Sequence, residues 1–337
     1  MMRIIQRAAA AAGAVWVGAV LVACGSGGSA TAATSTAPAA ASSVSPAGSN
    51  APVAPSTAGH PATTGAGGDA VAVVASTNVW GDVVAQVGGP HVDVVSIISD
   101  PGADPHSYEA NAQNQLALSK AALVIENGGG YDDFIDTMLA AANSSAPVIN
   151  AVQVSGKQAV AGAELNEHVW YDFPTVDRVA QQIAVELSAK DPAHEAEFTA
   201  NAKTFSAALG ELTTQVQAVK TAHAGTGVAV TEPVPLYLLE AAGLVNLTPP
   251  EFTAAIEQAT DVPAPVLNET LALFTDQKVK ALFYNEQTTG PQTEAVLNAA
   301  KTNSIAVVPV RETLPEGQDY LTWMKANVQA MAQAVGG

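Results

Sequence analysis

Cysteine is nearly absent from this chain of 337 residues, because Cys24 is the only one. An intramolecular disulfide is therefore impossible. Basic residues are also scarce: 13 Lys and Arg stand against 31 Asp and Glu, for a formal net charge of -18. This balance argues against nucleic acid as a partner and against an electrostatic hold on anionic lipid, and it suits a protein that handles cations. Aromatic residues make up only 5%, which disfavours a sugar or peptide receptor, because such clefts usually offer aromatic platforms.

The position of the single cysteine indicates export. Arg3 and Arg7 form a basic start, and an apolar run from Ala8 to Ala23 leads directly to Cys24. Residues 1–24 therefore predict a secretory signal peptide, whose last residues, Leu-Val-Ala-Cys, resemble a bacterial lipobox with a lipidated cysteine. We expect a lipid anchor at the extracytoplasmic face of the cell membrane; an ordinary signal peptide with a chance cysteine is the alternative. A membrane-spanning helix is disfavoured, because the run is short and rich in alanine.

The next segment, residues 25–68, contains mainly Ala, Ser, Thr, Gly and Pro, with almost no charge and no large apolar residue. Such a composition cannot bury a core, so we expect a disordered tether. His60 lies within it and is expected to be solvated.

Short β-branched runs then alternate with helical segments, which is typical of parallel sheets covered by helices. A long apolar stripe that starts after Asp191-Pro192 predicts a helix of about thirty residues, or about 45 Å, long enough to join two lobes. The predicted fold is α/β, with two lobes, each a parallel sheet flanked by helices, joined by one long linking helix and with the ligand site in the cleft. The predicted boundaries are residues 69–190 for the first lobe, 191–222 for the linking helix and 223–337 for the second lobe.

Two histidines lie in loops where open parallel sheets place their ligands. His106 follows a predicted strand in Asp-Pro-His-Ser-Tyr-Glu, and His168 lies in Asn-Glu-His-Val-Trp-Tyr-Asp, just before a predicted helix. Asp172 could bind the imidazole of His168 from behind, as carboxylates behind metal ligands do; alternatively it caps the helix and His168 is exposed. Each histidine alone could be an ordinary loop residue, whereas the pair in corresponding places favours a metal site.

Two glutamates each follow a predicted buried strand at its carboxyl end, where both would face the cleft. They are Glu232, in Val-Thr-Glu-Pro, and Glu312, in Val-Arg-Glu-Thr. Glu286 follows a third strand in the same way and is the main rival. His91, His194 and His223 are expected to be structural or solvated.

These segments together resemble the metal-binding receptors of bacterial zinc and manganese ABC importers, from Val71 to Val335. The segments DPHSYE and NEHVWYD look like the motifs that carry the first two ligands of that family. VAVTEPVPLYLLEAAGL and VVPVRETLPEG look like those that carry the third and fourth. The resemblance implies four metal ligands: His106, His168, Glu232 and Glu312. Asp172 and Glu109 are the carboxylates that we expect to support them. Glu312 is a departure, because the family usually has Asp at the fourth position.

The resemblance also implies a function without catalysis: a monomeric lipoprotein captures Zn²⁺ or Mn²⁺ and delivers it to the permease of an ABC importer. Two imidazoles and two carboxylates suit either ion, since zinc takes four ligands in a tetrahedron and manganese favours more oxygen ligands. The stretch 155–167 has no histidine, unlike the His-rich loop of many zinc receptors. A secreted metal-dependent hydrolase is the alternative, although no His-Glu-x-x-His motif is present. An adhesin would not explain four convergent polar side chains.

Overall fold

The first sheet is built from four parallel strands in the order β2-β1-β3-β4. This computed structural model describes residues 70–102, 108, 111–159 and 165–336. β1 is buried along most of its length, as expected for a central strand covered by helices on both faces. The elements of this half are β1 (Val71–Thr77), α1 (Asn78–Gly88), β2 (Val92–Ile98), α2 (Ala112–Lys120), β3 (Leu123–Glu126), α3 (Phe134–Ala142), β4 (Val148–Asn150), α4 (Ala151–Ser155) and α5 (Phe173–Lys190).

The second sheet repeats this plan with four parallel strands in the order β6-β5-β7-β8. Because all its strands run in one direction, their carboxyl ends lie at one edge, which is where ligands bind in open α/β sheets. Its elements are β5 (Gly227–Val230), α7 (Leu236–Ala241), β6 (Val245–Asn246), α8 (Pro250–Glu257), α9 (Ala264–Thr275), β7 (Ala281–Asn285), α10 (Pro291–Thr302), β8 (Ala306–Val310) and α11 (Tyr320–Gly336).

One long helix, α6 (Glu195–His223), lies between the two sets in the chain. Its 29 residues correspond to about 44 Å at 1.5 Å per residue. The helix packs against α1 and α5 from the first half and against α7 and α11 from the second. Its apolar stripe forms part of one continuous core that also includes Val73 of β1 and Val328 of α11.

Hydrogen bonds also join the two halves directly. Asn78, at the start of α1, donates to the carbonyl of Leu314 at 3.0 Å and accepts from its backbone N–H at 2.9 Å. The buried hydroxyl of Tyr320 donates to the carbonyl of Trp170 at 2.6 Å. These contacts hold the loops at the ends of both sheets in fixed positions.

The predicted fold class is confirmed: two parallel sheets flanked by helices, with one long helix between them. Most predicted elements agree within a few residues. The segment after α7 is different, because the sequence did not predict β6, α8 or α9. β6 has only two residues, too few for a periodic pattern. α8 and α9 both have prolines at their starts, which are more typical of a loop, although proline is tolerated in the first turn of a helix. The lobe boundaries remain a prediction.

No helix in the part of the chain that the structure describes is both long and apolar enough to cross a bilayer.

Candidate metal site

Polar side chains from three adjacent strands meet at the carboxyl edge of the second sheet. Glu232 follows β5, Asn285 ends β7, and Glu312 follows β8. All three are buried, at 3%, 0% and 1% exposure respectively. Since β5, β7 and β8 are neighbours, the parallel order of the strands is what brings the two glutamates together.

The amide of Asn285 bridges the two glutamates. Its Nδ2 donates to Oε2 of Glu232 at 2.6 Å and to Oε1 of Glu312 at 2.8 Å. One amide therefore satisfies one oxygen of each carboxylate and sets the distance between them. Gln287 supports the arrangement, because its Oε1 accepts from the backbone N–H of Glu312 at 2.6 Å.

His168 reaches the same place from the first half of the molecule. Its side chain is fully buried, and its ring lies edge-on to Trp170 and Tyr131. Asn166 determines the tautomer: its Nδ2 donates to the carbonyl of Pro233 at 3.0 Å, so its Oδ1 is the atom that lies 2.7 Å from Nδ1 of His168. An amide oxygen accepts only, so Nδ1 carries a proton, and in the neutral imidazole Nε2 is the nitrogen that can bind a metal.

The Nε2 atom of His168 faces two carboxylates. It lies 3.7 Å from Oε2 of Glu312 and 3.7 Å from Oε1 of Glu257. Ligand atoms bound to one zinc ion in a tetrahedron stand about 3.4 Å apart, given metal–ligand distances of about 2.1 Å. Each of these two carboxylate oxygens is therefore almost as close to Nε2 as a second ligand of a common ion would be.

Glu257, the last residue of α8, was not predicted from the sequence. Its carboxylate oxygens are buried, and it is hydrogen-bonded to Glu167. Burial raises the pKa of the Glu257 carboxyl far above its ordinary value of 4.5, and the negative charges of Glu167, Glu232 and Glu312 raise it further. Four carboxylates thus crowd around one imidazole, an arrangement that favours a bound cation.

A glycine-rich loop after β3 positions one wall of the site. The carboxylate of Asp132 accepts from the backbone N–H groups of Asn127 and Gly128, at 2.6 and 2.7 Å. Gly128 has a φ of +77°, and a Cβ there would lie 2.2 Å from the side chain of Asn150, so only glycine fits. This loop places Tyr131, whose hydroxyl is hydrogen-bonded to Glu312; burial above all, and then the charge of Glu312, raises the pKa of Tyr131.

Two other predictions concern carboxylates that the structure places elsewhere. Asp172 was expected behind His168, but its carboxylate accepts from the Thr175 hydroxyl and pairs with Lys157 at 3.4 Å, while Asn166 bonds the imidazole. The strong local signal of a helix start explains this difference, because Asp172 is the N-cap residue of α5. Glu286, the rival of Glu312, is part-exposed and pairs with Arg311 at 2.5 Å.

Three predicted residues, His106, Glu109 and Cys24, lie outside the described residues. The chain that leads towards His106 is nevertheless visible as far as residue 102. The carbonyl of Pro101 accepts from Thr313 Oγ1 at 3.1 Å and from Arg311 Nη1 at 3.3 Å. Both partners are immediate neighbours of Glu312 in the sequence.

A second group of potential metal ligands lies where α1 ends and α6 begins: His91, His194 and Glu197. The two rings stack with centroids 3.6 Å apart and planes inclined by 18°, so their lone pairs lie in two separate, nearly parallel planes and do not converge on one ion. Each imidazole contacts a carboxylate instead, His91 with Glu197 at 2.9 Å and His194 with Asp191 at 2.5 Å. This arrangement fits the structural role expected for these histidines.

Comparison with known proteins shows the family to which the chain belongs. The family model described as zinc-uptake complex component A, periplasmic (ZnuA) matches residues 73–334. The chain belongs to the ZnuA family. The resemblance inferred from the sequence motifs is thereby confirmed.

Relatives of this ZnuA-family protein include named manganese-binding lipoproteins. MntA of Bacillus subtilis (strain 168) is 25% identical over 245 residues, which cover 68% of this chain and 75% of MntA. The manganese ABC transporter substrate-binding lipoprotein PsaA of Streptococcus mitis is 27% identical over 159 residues, covering 44% of this chain and 50% of PsaA. A putative metal-binding protein of Treponema pallidum (strain Nichols) is 26% identical over 164 residues, 43% of this chain and 50% of the relative. The ZnuA-family chain thus spans about half the length of the latter two.

Solved structures show the same fold. A crystal structure of ZnuA superimposes with a TM-score of 0.68 at 23% identity and covers 79% of this chain and 99% of that one. A mutant of the laminin-binding adhesin Lmb from Streptococcus agalactiae gives a TM-score of 0.68 at 22% identity, with the same coverage. At these identities the likeness concerns the fold alone.

Proposed function

We propose that this ZnuA-family protein is an extracytoplasmic receptor that binds one divalent transition-metal ion, Zn²⁺ or Mn²⁺, and delivers it to the permease of an ABC importer. The observation that carries the proposal is the buried convergence of His168 with Glu232 and Glu312. The names of MntA and PsaA, which describe manganese binding and an ABC transporter, support it. These names describe binding proteins, so they lend no support to the hydrolase alternative.

The ion would be bound by side chains from both halves of the molecule. His168 would offer Nε2, and Glu232 and Glu312 would each offer a carboxylate oxygen. Two anionic ligands and a neutral imidazole suit a divalent ion of borderline or harder character. Water would be excluded by Trp170 and by the buried strand ends, which strengthens the attraction between the ion and its ligands.

His106 completes the proposed set as the fourth ligand. The proposal is supported by the family motif DPHSYE and by the position of Pro101. The carbonyl of Pro101 accepts hydrogen bonds from Thr313 and Arg311, the residues on either side of Glu312. Pro101, five residues before His106, therefore lies beside Glu312. Glu109 would support this ligand.

The remaining parts of the proposal concern location and partners. A lipid on Cys24 would anchor the protein to the outer face of the cell membrane, with residues 25–68 as a tether, and the receptor would act as a monomer. The lipoprotein names of MntA and PsaA support an anchor. Cells that express a Cys24→Ser variant should release the protein from the membrane fraction; a variant that stays as firmly attached as the parent would overturn the anchor.

The proposed binding is tested by thermal unfolding with and without metal. A ligand that binds only the folded state adds about 2.7 kcal/mol at a hundredfold excess over its dissociation constant. We expect Zn²⁺ or Mn²⁺ to raise the melting temperature of the chelator-treated protein, and His168→Ala to remove most of that rise. Mg²⁺ at the same concentration serves as the control ion. An equal melting temperature in metal and in chelator would contradict the proposal.

A further inference from the structure

Glu257 reaches the candidate site from an element that the family motifs do not include. The three described ligands that the resemblance implies lie in loops after strands or before a helix, whereas Glu257 ends α8. Phe252 and Ile256 on the same helix are buried in the second core cluster of the molecule, so the helix is fixed in place. The side chain of Glu257 is 14% exposed.

The distances make Glu257 equivalent to a proposed ligand. Its Oε1 lies 3.7 Å from Nε2 of His168, the same separation as that of Glu312 Oε2. Ligand oxygens of Glu167 and Glu257 and the ligand nitrogen of His168 all lie within 4.8 Å of one another. An ion bound to Nε2 of His168 would therefore be within reach of Glu257 after a small side-chain movement.

We propose that Glu257 is a further ligand of the bound ion and that it shifts the preference of the site from zinc towards manganese. This inference rests on the proposed function. The proposed function already gives a zinc ion the four ligands of its preferred tetrahedral set. A fifth, carboxylate ligand stabilises an ion that takes higher, oxygen-rich coordination, and Mn²⁺ is such an ion.

The direction of the effect follows from the chemistry of the two ions. Zinc binds most nitrogen and oxygen sites more tightly than manganese does. The extra carboxylate therefore narrows the difference in affinity between the two ions and does not reverse it. Removing Glu257 should consequently weaken Mn²⁺ binding much more than Zn²⁺ binding. The quantity that reports this effect is the ratio of the dissociation constants for Mn²⁺ and Zn²⁺.

The variant Glu257→Gln tests the inference, because it keeps the size of the side chain and removes the anionic ligand. Glu251→Gln, in the exposed first turn of the same helix, is the matched control. Dissociation constants for Mn²⁺ and Zn²⁺ are measured by competition with chelators of known affinity. We expect Glu257→Gln to raise the Mn²⁺ constant at least tenfold, the Zn²⁺ constant less than threefold, and the control to change neither.

A second measurement distinguishes direct coordination of the ion by Glu257 from an effect of its charge at a distance. Water-proton relaxation of the Mn²⁺-loaded protein reports water bound to the ion, and Glu257→Gln should add one exchanging water molecule. An unchanged affinity ratio, or no added water, would overturn the role of Glu257. If instead the wild-type protein binds neither ion, or binds both equally well after His168→Ala, the proposed function itself fails.

Discussion

The crowding of carboxylates at the candidate site predicts how the stability of the metal-free protein depends on pH. Burial first, and then the charges of Glu167, Glu232 and Glu312, raise the pKa of Glu257 in the folded protein above the ordinary value of 4.5. The folded state therefore keeps a proton that the unfolded chain releases. The contribution of Glu257 to the free energy of unfolding is fully present below about pH 4.5, and it is lost as the pH rises towards the pKa of the folded state.

The magnitude follows from the linkage between protonation and folding. Each pH unit above 4.5 costs the folded state about 1.4 kcal/mol for one retained proton, so the loss reaches about 3 kcal/mol near pH 7. Glutamine carries no titrating proton and resembles the protonated carboxyl. The variant Glu257→Gln should therefore match the wild type near pH 5 and exceed its free energy of unfolding by up to about 3 kcal/mol near pH 7.

The assay is urea unfolding of both proteins at pH 5, 6, 7 and 8 in the presence of a chelator. Comparing the variant with the wild type cancels the contribution of groups that do not interact with Glu257, including Glu126, whose burial raises its pKa to about 7. Glu251→Gln should show no pH-dependent difference from the wild type. A difference between Glu257→Gln and wild type that stays constant from pH 5 to 8 would refute this reasoning.

Three further outcomes are expected. Asn166→Ala removes the acceptor that fixes the tautomer of His168 and should weaken metal binding about 10–100-fold, as measured by chelator competition; an unchanged affinity would contradict the assigned role. Glu312→Ala should weaken metal binding more than Asn166→Ala does. Glu286→Ala breaks only a part-exposed pair with Arg311 and should have little effect on metal binding. The reverse order would make Glu286 the ligand in place of Glu312. Gly128→Ala introduces a Cβ 2.2 Å from Asn150 at a φ of +77° and should destabilise the fold by about 1–3 kcal/mol in urea unfolding; wild-type stability would show that the loop relaxes freely.

The parts of the site that the sequence predicted are those that follow strands or lie in a local motif. Glu232 and Glu312 were found because each comes two residues after a buried run, and parallel strands bring such residues to one edge. His168 was found within NEHVWYD. These patterns are local in the sequence, so they can be read without knowing how the chain packs.

The parts that were missed depend on tertiary contacts. Glu257 ends a helix whose position is set by Phe252 and Ile256 in the core, and no nearby strand marks its approach to the site. Asn285 and Glu286 are adjacent at the end of β7, and successive residues of a strand face opposite sides. Only the structure shows that Asn285 faces the site while Glu286 faces Arg311.

The central proposal is that His168, Glu232 and Glu312 bind one divalent transition-metal ion. The decisive measurement is metal analysis by mass spectrometry of protein refolded without metal and then dialysed against equal concentrations of Zn²⁺ and Mn²⁺. We expect one ion per wild-type chain, counting both metals together, and much less than one in Glu312→Ala. Wild-type protein that retains no ion, or a Glu312→Ala variant that retains as much as the wild type, would contradict the claim.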